Sequence, residues 1–146
     1  MPFATESERR RNSNPRKLYP ADPGLIKAFD ASGRANLGHA LEAVVLNELE
    51  RRGAEVGYVK TADGFEVDFL ARHPAVGEDL VQVCVDLSAP ETRSRELRAL
   101  TAAAKEHPRA ARRLLVLDRD ALTRMSAPGI EVRPAYEWLL APLRKN

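Results

Sequence analysis

With 146 residues, 44% hydrophobic and 30% charged, the chain has the length and composition of one globular domain with a buried core. No apolar run approaches the roughly 20 residues that span a bilayer, and the opening MPFATESERRR has no apolar signal core, so a cytoplasmic protein without a membrane partner is expected. A lone Cys84 excludes an intrachain disulfide and a cysteine zinc cluster, and His39, His73 and His107 lie too far apart for a local metal motif.

The net charge of +2 is unevenly placed. Arg9, Arg10, Arg11, Arg16 and Lys17 outweigh Glu6 and Glu8, so residues 1–20 carry +3 and the rest about −1. Phosphate binding draws on clustered cations, and the body shows no excess of them. Residues 1–15 lack apolar periodicity and read as a basic flexible tail, leaving 16–146 as a single domain.

Lys17-Leu18-Tyr19 suits a short edge strand. Asp22-Pro23 suits a helix start, with Asp22 as cap, Pro23 in the first turn and Leu25, Ile26 and Phe29 on its apolar side. From Arg34 to Arg52, Leu37, Leu41, Val44, Val45 and Leu49 recur at helical steps. Leu46 widens that arc and Gly53 supplies the stop. Strands are expected at Glu55–Lys60, Phe65–Arg72 and Leu80–Leu87, the first two joined by a hairpin at Asp63-Gly64. In the second strand Phe65, Val67 and Phe69 share one face, and Glu66, Asp68 and Leu70 the other. In the third, Val81, Val83, Val85 and Leu87 oppose Gln82, Cys84 and Asp86.

Ser88 and Glu91 have capping-box spacing before a helix with Pro90 in its first turn. That helix runs to about His107, with Leu97, Leu100 and Ala104 inward and Pro108 as the stop. Arg113–Leu117 reads as a buried strand, Ile130–Arg133 as a last short one, and Pro134-Ala135 opens a helix carrying Tyr136, Trp138, Leu139 and Leu140. A crossover helix makes the third and fourth strands parallel, while the hairpin is antiparallel. The sheet is therefore mixed, of about four strands in the order αβββαβ.

Among residues that could carry chemistry, Glu42 has Val45 and Leu46 one turn ahead and Gly38 one turn behind, with no cation to pair along the helix. A carboxylate there needs a compensating partner from elsewhere. Glu48, by contrast, has Arg51 and Arg52 at salt-bridge spacing. Glu66 and Asp68, with Gln82, Cys84 and Asp86, fit the wet face of a half-exposed sheet. Cys84 alone fits a small buried hydrophobe.

In sequence order, a helix glutamate, a strand Glu-x-Asp after a hairpin, and a Gln-x-Cys on the next strand resemble the degenerate PD-(D/E)XK nuclease signature. The segments KLYPADPGLIKAF, GHALEAVVLNELERRG, KTADGFEVDFLAR, LVQVCVDLSAPETRSREL and RLLVLD resemble the uncharacterised C-terminal domain of prokaryotic AAA-type ATPases, a family of that superfamily, across roughly two-thirds of the chain. The resemblance implies a restriction-endonuclease-like α/β core. It also implies magnesium bound by Glu42, Asp68 and Gln82, with Glu66 as auxiliary, Cys84 at the lysine position and Lys60 as a possible substitute for that lysine. A hard, largely hydrated magnesium ion suits such oxygens, and would activate water against a phosphodiester. This chain departs from the motif. Gln82 brings no charge and Cys84 no fixed cation, and members of the family commonly lack that lysine.

Gly33 and Gly38 have phosphate-loop separation, but His39-Ala40 follows and the span lies in the expected core helix, so no ATPase motif is present. Nor is there a Gly-x-Ser-x-Gly elbow or a dinucleotide fingerprint. Two readings follow. One is a magnesium-dependent nuclease-like protein acting on DNA. The other is a catalytically silent domain that binds nucleic acid or protein and works with an AAA-type ATPase, with Arg93, Arg95 and Arg98 either lining a partner surface or forming a solvated helix face.

Overall fold

The computed structural model describes residues 1–4, 15–22, 24, 37–74, 76–117, 119–120, 122, 125 and 127–142. The helix expected from Pro23 through Leu25, Ile26 and Phe29, the start of the next at Arg34, and residues 5–14 of the expected tail lie outside them. Five strands form one sheet in chain order: β1 (Glu55–Lys60), β2 (Glu66–His73), β3 (Gly77–Cys84), β4 (Ala111–Val116) and β5 (Glu131–Pro134). Three helices flank it: α1 (Leu37–Arg51), α2 (Pro90–Glu106) and α3 (Ala135–Leu140).

The first three strands pair antiparallel, and β3–β4 and β4–β5 pair parallel. The mixed α/β sheet therefore stands, with five strands rather than about four. The stretch at 131–134, too short for periodicity to weigh, gains full membership by pairing Arg113 with Glu131 through to Val116 with Pro134. No helix among the described residues is long and apolar enough to cross a membrane.

Each sheet face buries its own core. Under α1 lie Val45, Leu46, Leu49, Val56, Phe69, Ala71, Val81, Val83 and Leu115, closed by Ala135 and Trp138 of α3. Under α2 lie Val59, Val67, Leu70, Leu80, Leu87, Leu100, Ala103, Leu114 and Val116. Burying such a side chain contributes about 1.5–3 kcal/mol before conformational entropy is set against it. In α1 the inward arc is Ala43, Val45, Leu46 and Leu49, whereas Leu37, expected inward, is 55% exposed at the helix start. Gly53, at φ +79°, ends the helix, and Ala54 N–H returns to the Leu49 carbonyl.

Three local expectations change. The capping box does not form. Ala89 is the cap residue without a side-chain bond, Ser88 N–H donates to Asp86 Oδ1, and the Leu87 and Ser88 carbonyls accept from Arg93. β3 ends at Cys84, so Leu87 packs under α2 rather than beside Val81 and Val83. In β2, Val67 also packs under α2 while Phe69 packs under α1, which breaks the expected alternation. The cause is a bulge. Gly57 faces Leu70 and Val59 faces Val67, so one residue of β1 opposes two of β2.

Part of the stretch read as a tail is held against the sheet. Phe3 bridges Tyr58 in parallel, Tyr58 N–H donates to the Pro2 carbonyl and Ala4 N–H to the Tyr58 carbonyl. Gly57 permits this, since a Cβ there would stand 3.0 Å from Ala4 Cβ and 3.1 Å from the Pro2 carbonyl oxygen. The free edge of β1 is thereby covered.

Candidate acidic centre

The β2–β3 ladder runs from His73↔Gly77 to Phe69↔Val81, where the regular pairing ends, beside the bulge between β1 and β2. Side chains take over across the gap. Asp68 N–H donates to Gln82 Oε1 at 3.2 Å, and Val83 N–H donates to Asp68 Oδ2 at 3.0 Å. Both side chains are buried, and each satisfies a backbone group the widened ladder would orphan.

α1 brings Glu42 to the same end of the sheet, where Tyr19 Oη–H donates to its Oε2 at 2.7 Å. The Tyr19 ring stacks on His39, with centroids 4.9 Å apart, and leans on Phe69. Lys17 completes the group. Its Nζ lies 2.5 Å from Glu66 Oε1 and 3.7 Å from Asp68 Oδ1, and 5.5 Å from the Tyr58 ring centroid. The placement is anchored through the backbone. The Met1 amino group donates to the Lys17 carbonyl, Lys17 N–H donates back to Met1, and Tyr58 Oη–H holds the Pro15 carbonyl. Lys17-Leu18-Tyr19 is therefore not a strand. It is an irregular crossing that sends Lys17 and Tyr19 inward and leaves Leu18 82% exposed.

Electrostatics follow from this crowding. Burial, then the Glu42 charge, pushes Asp68 from its ordinary 3.8 up to about 7, against the Val83 N–H bond and the Lys17 charge. Burial pulls the Lys17 ammonium down, but the Glu66 bond and the charges of Asp68, Glu66 and Glu42 together outweigh it, and the group is held above its ordinary range. Burial and the bond to Glu42 push the Tyr19 phenol far up, so it stays a donor.

Of the residues singled out from sequence, Glu42, Glu66, Asp68 and Gln82 come together. Cys84 packs toward α2 with its thiol on the Asp86 carbonyl at 3.3 Å, raised by burial and by the Glu96 charge. Lys60 is exposed at the end of β1, opposite Glu66 in register. The ammonium that meets Glu66 and Asp68 belongs to Lys17. Sequence reasoning gave Lys17 and Tyr19 no chemical role; their only local signal was spacing two apart around an exposed leucine. Glu96 was also missed. It is buried on α2, its carboxylate held by Arg95 at 2.7 Å.

The donor set bears on the implied magnesium. Gln82 Oε1 is engaged by the Asp68 backbone, Glu42 Oε2 by Tyr19, Asp68 Oδ2 by Val83, and Glu66 Oε1 by Lys17. A hard dication prefers charged oxygens open to it and to its waters. One oxygen of each carboxylate and the Gln82 carbonyl are engaged by protein donors, and the Lys17 ammonium stands where positive charge is needed. With Lys17 in place the group is a poor fit for magnesium. No protein-family model, no curated protein and no solved structure matches this chain.

Proposed function

We propose that this chain is a nuclease-like domain, related to the C-terminal domains of AAA-type ATPases, that acts by binding a protein partner of that ATPase class rather than by cutting DNA. The observation that carries the reading is the Lys17 ammonium at 2.5 Å from Glu66 and 3.7 Å from Asp68, an internal cation among the acids that the resemblance assigns to metal. Gln82 and Cys84, in the motif positions, bring neither the negative charge nor the fixed cation that the nuclease motif supplies there.

Protein is favoured over nucleic acid by where the cations go. Arg51 and Arg52 pair with Glu48, Arg72 with Glu78, Arg95 with Glu96, Arg113 with Asp79 and Glu131, and Arg119 with Glu137. Guanidiniums engaged by neighbouring acids contribute less to the counterion release that drives phosphate binding.

The test incubates wild-type protein and Asp68→Ala with linear, nicked and branched DNA, with and without magnesium or manganese, and measures magnesium binding by calorimetry. The expected result is identical behaviour of both proteins toward DNA and no magnesium heat at millimolar concentration. Metal-dependent cleavage that disappears in Asp68→Ala would overturn the reading in favour of a nuclease. Partner binding is measured by co-elution with an AAA-type ATPase from the same genome. The expected outcome is a complex that survives Asp68→Ala.

A further inference from the structure

The acidic centre gathers three carboxylates, Glu42, Glu66 and Asp68, around the one ammonium of Lys17. An ammonium has three N–H donors, and each carboxylate has two oxygens with room for several. Lys17 Nζ makes one short contact, to Glu66, and stands 3.7 Å from Asp68 Oδ1, beyond hydrogen-bond reach. Glu42 Oε1, Glu66 Oε2 and Asp68 Oδ1 therefore accept no hydrogen bond among the described residues. Asp68, only 8% exposed, turns that second oxygen toward the ammonium. The buried Tyr58 ring, 5.5 Å from Nζ, adds an aromatic wall that favours a cation.

The segment that delivers Lys17 is lightly held. None of residues 1–4 and 15–22 is fully buried, and residues 15–22 join no strand or helix. Its ties are the reciprocal bonds of Met1 and Lys17, Tyr58 on the Pro15 carbonyl, and Tyr19 on Glu42. A segment with so few buried contacts opens at a fraction of the global unfolding free energy. Opening takes one positive charge away from three acids. The vacancy then fits an aliphatic chain with more than one ammonium, whose N–H groups bond carboxylates directly and whose methylenes lie along Tyr58. We propose that the acidic centre is a binding site for aliphatic polyamines, held shut in cis by the Lys17 ammonium. Tethering gives this lysine a high effective concentration, and a ligand's dissociation constant is raised by the inverse of the open fraction. The inference does not depend on the ATPase partner.

Wild type and Lys17→Ala are titrated by calorimetry at pH 8 and constant ionic strength with spermidine, uncharged 1,4-butanediol and magnesium. The expected result is saturable binding of spermidine to Lys17→Ala, about tenfold or more weaker binding to wild type, and no heat from butanediol. Magnesium is expected to bind Lys17→Ala more weakly than spermidine does. Adding Asp68→Asn to Lys17→Ala is expected to weaken spermidine about tenfold with an unchanged circular dichroism spectrum. Lys17→Ser repeats the titration should Lys17→Ala fold poorly. The proposal is overturned by no saturable binding of spermidine to either folded variant up to about 10 mM, or by wild type binding it as tightly as they do. It is equally overturned if magnesium is the tighter ligand, or if the added Asp68→Asn leaves spermidine affinity unchanged.

Discussion

The two ends of the sheet solve opposite charge problems. At one end Glu42, Glu66 and Asp68 crowd together, and the chain closes the group with its own Lys17 ammonium, Tyr19 phenol and Val83 amide. At the other, Arg52, Arg113 and Arg133 line an open cavity together with Asp79 and Glu131, and Arg113 bonds both of those acids. The end that resembles a nuclease centre neutralises its acids with Lys17, whereas the other pairs its guanidiniums with acids from neighbouring strands.

The sharpest way to break the cavity end is Trp138→Ala, which removes a 6%-exposed ring from the core and the surface on which Arg52 lies. A loss of about 3–5 kcal/mol in denaturant unfolding is expected, with the acidic centre unaffected. A loss below about 1 kcal/mol would mean that α3 contributes little to the fold.

At the acidic end the largest effect is one of pH. Asp68 titrates near 7 when folded and near its ordinary 3.8 when unfolded. Between those values the folded chain binds more protons, so this group makes stability fall as pH rises from about 4 to about 7 and leaves it level above. Asp68→Asn, whose amide oxygen can still accept from Val83, is expected to remove that slope. The variant would then be more stable than wild type at pH 8, by a few kcal/mol, and close to it below pH 4. Urea midpoints across pH check the sign; a wild-type slope that persists in Asp68→Asn would assign it elsewhere.

Lys17→Ala opens the same end from the other side. Removing the cation raises Asp68 further and leaves Glu66 without its partner. Because the lysine side chain is 25% exposed and Glu66 46%, the expected loss at pH 8 is only about 1 kcal/mol. With the ammonium gone, magnesium should raise the melting temperature of Lys17→Ala more than that of wild type. Equal response of the two proteins would separate Lys17 from any cation-replacing role. The smallest effect concerns the clasp that places Lys17. Gly57→Ala drives a Cβ against Ala4 and the Pro2 carbonyl, and should cost about 1 kcal/mol while exposing residues 1–4 to faster amide exchange.

Much of the architecture was legible in local pattern. Helical steps from Leu41 to Leu49 located α1, Asp63-Gly64 located the hairpin, and the helix after Pro90 made β3 and β4 parallel. The expected salt bridge at Glu48 formed with Arg51 and Arg52, which hold its carboxyl down at about 2. These features depend on neighbours within a turn or a strand, where residue spacing alone fixes which side chains meet.

The sites were legible only in part. Glu42 could be marked as a candidate because it was a carboxylate without a local partner, and Asp68 and Gln82 because their order along the chain resembles the degenerate nuclease signature. Their actual partners were not visible, because a bulge opposite Gly57 and Val59 altered the facing of β2 and carried Asp68 to the gap beside Gln82. Lys17 meets Glu66 only because Met1 clasps its backbone, and Arg113 meets Asp79 and Glu131 only through the register of three strands. Sequence by itself determined the elements and their order, since backbone periodicity is a short-range property. Tertiary structure alone decided which charges meet, since pairing between distant residues depends on register and chain path, where a shift of one residue turns a side chain to the other face.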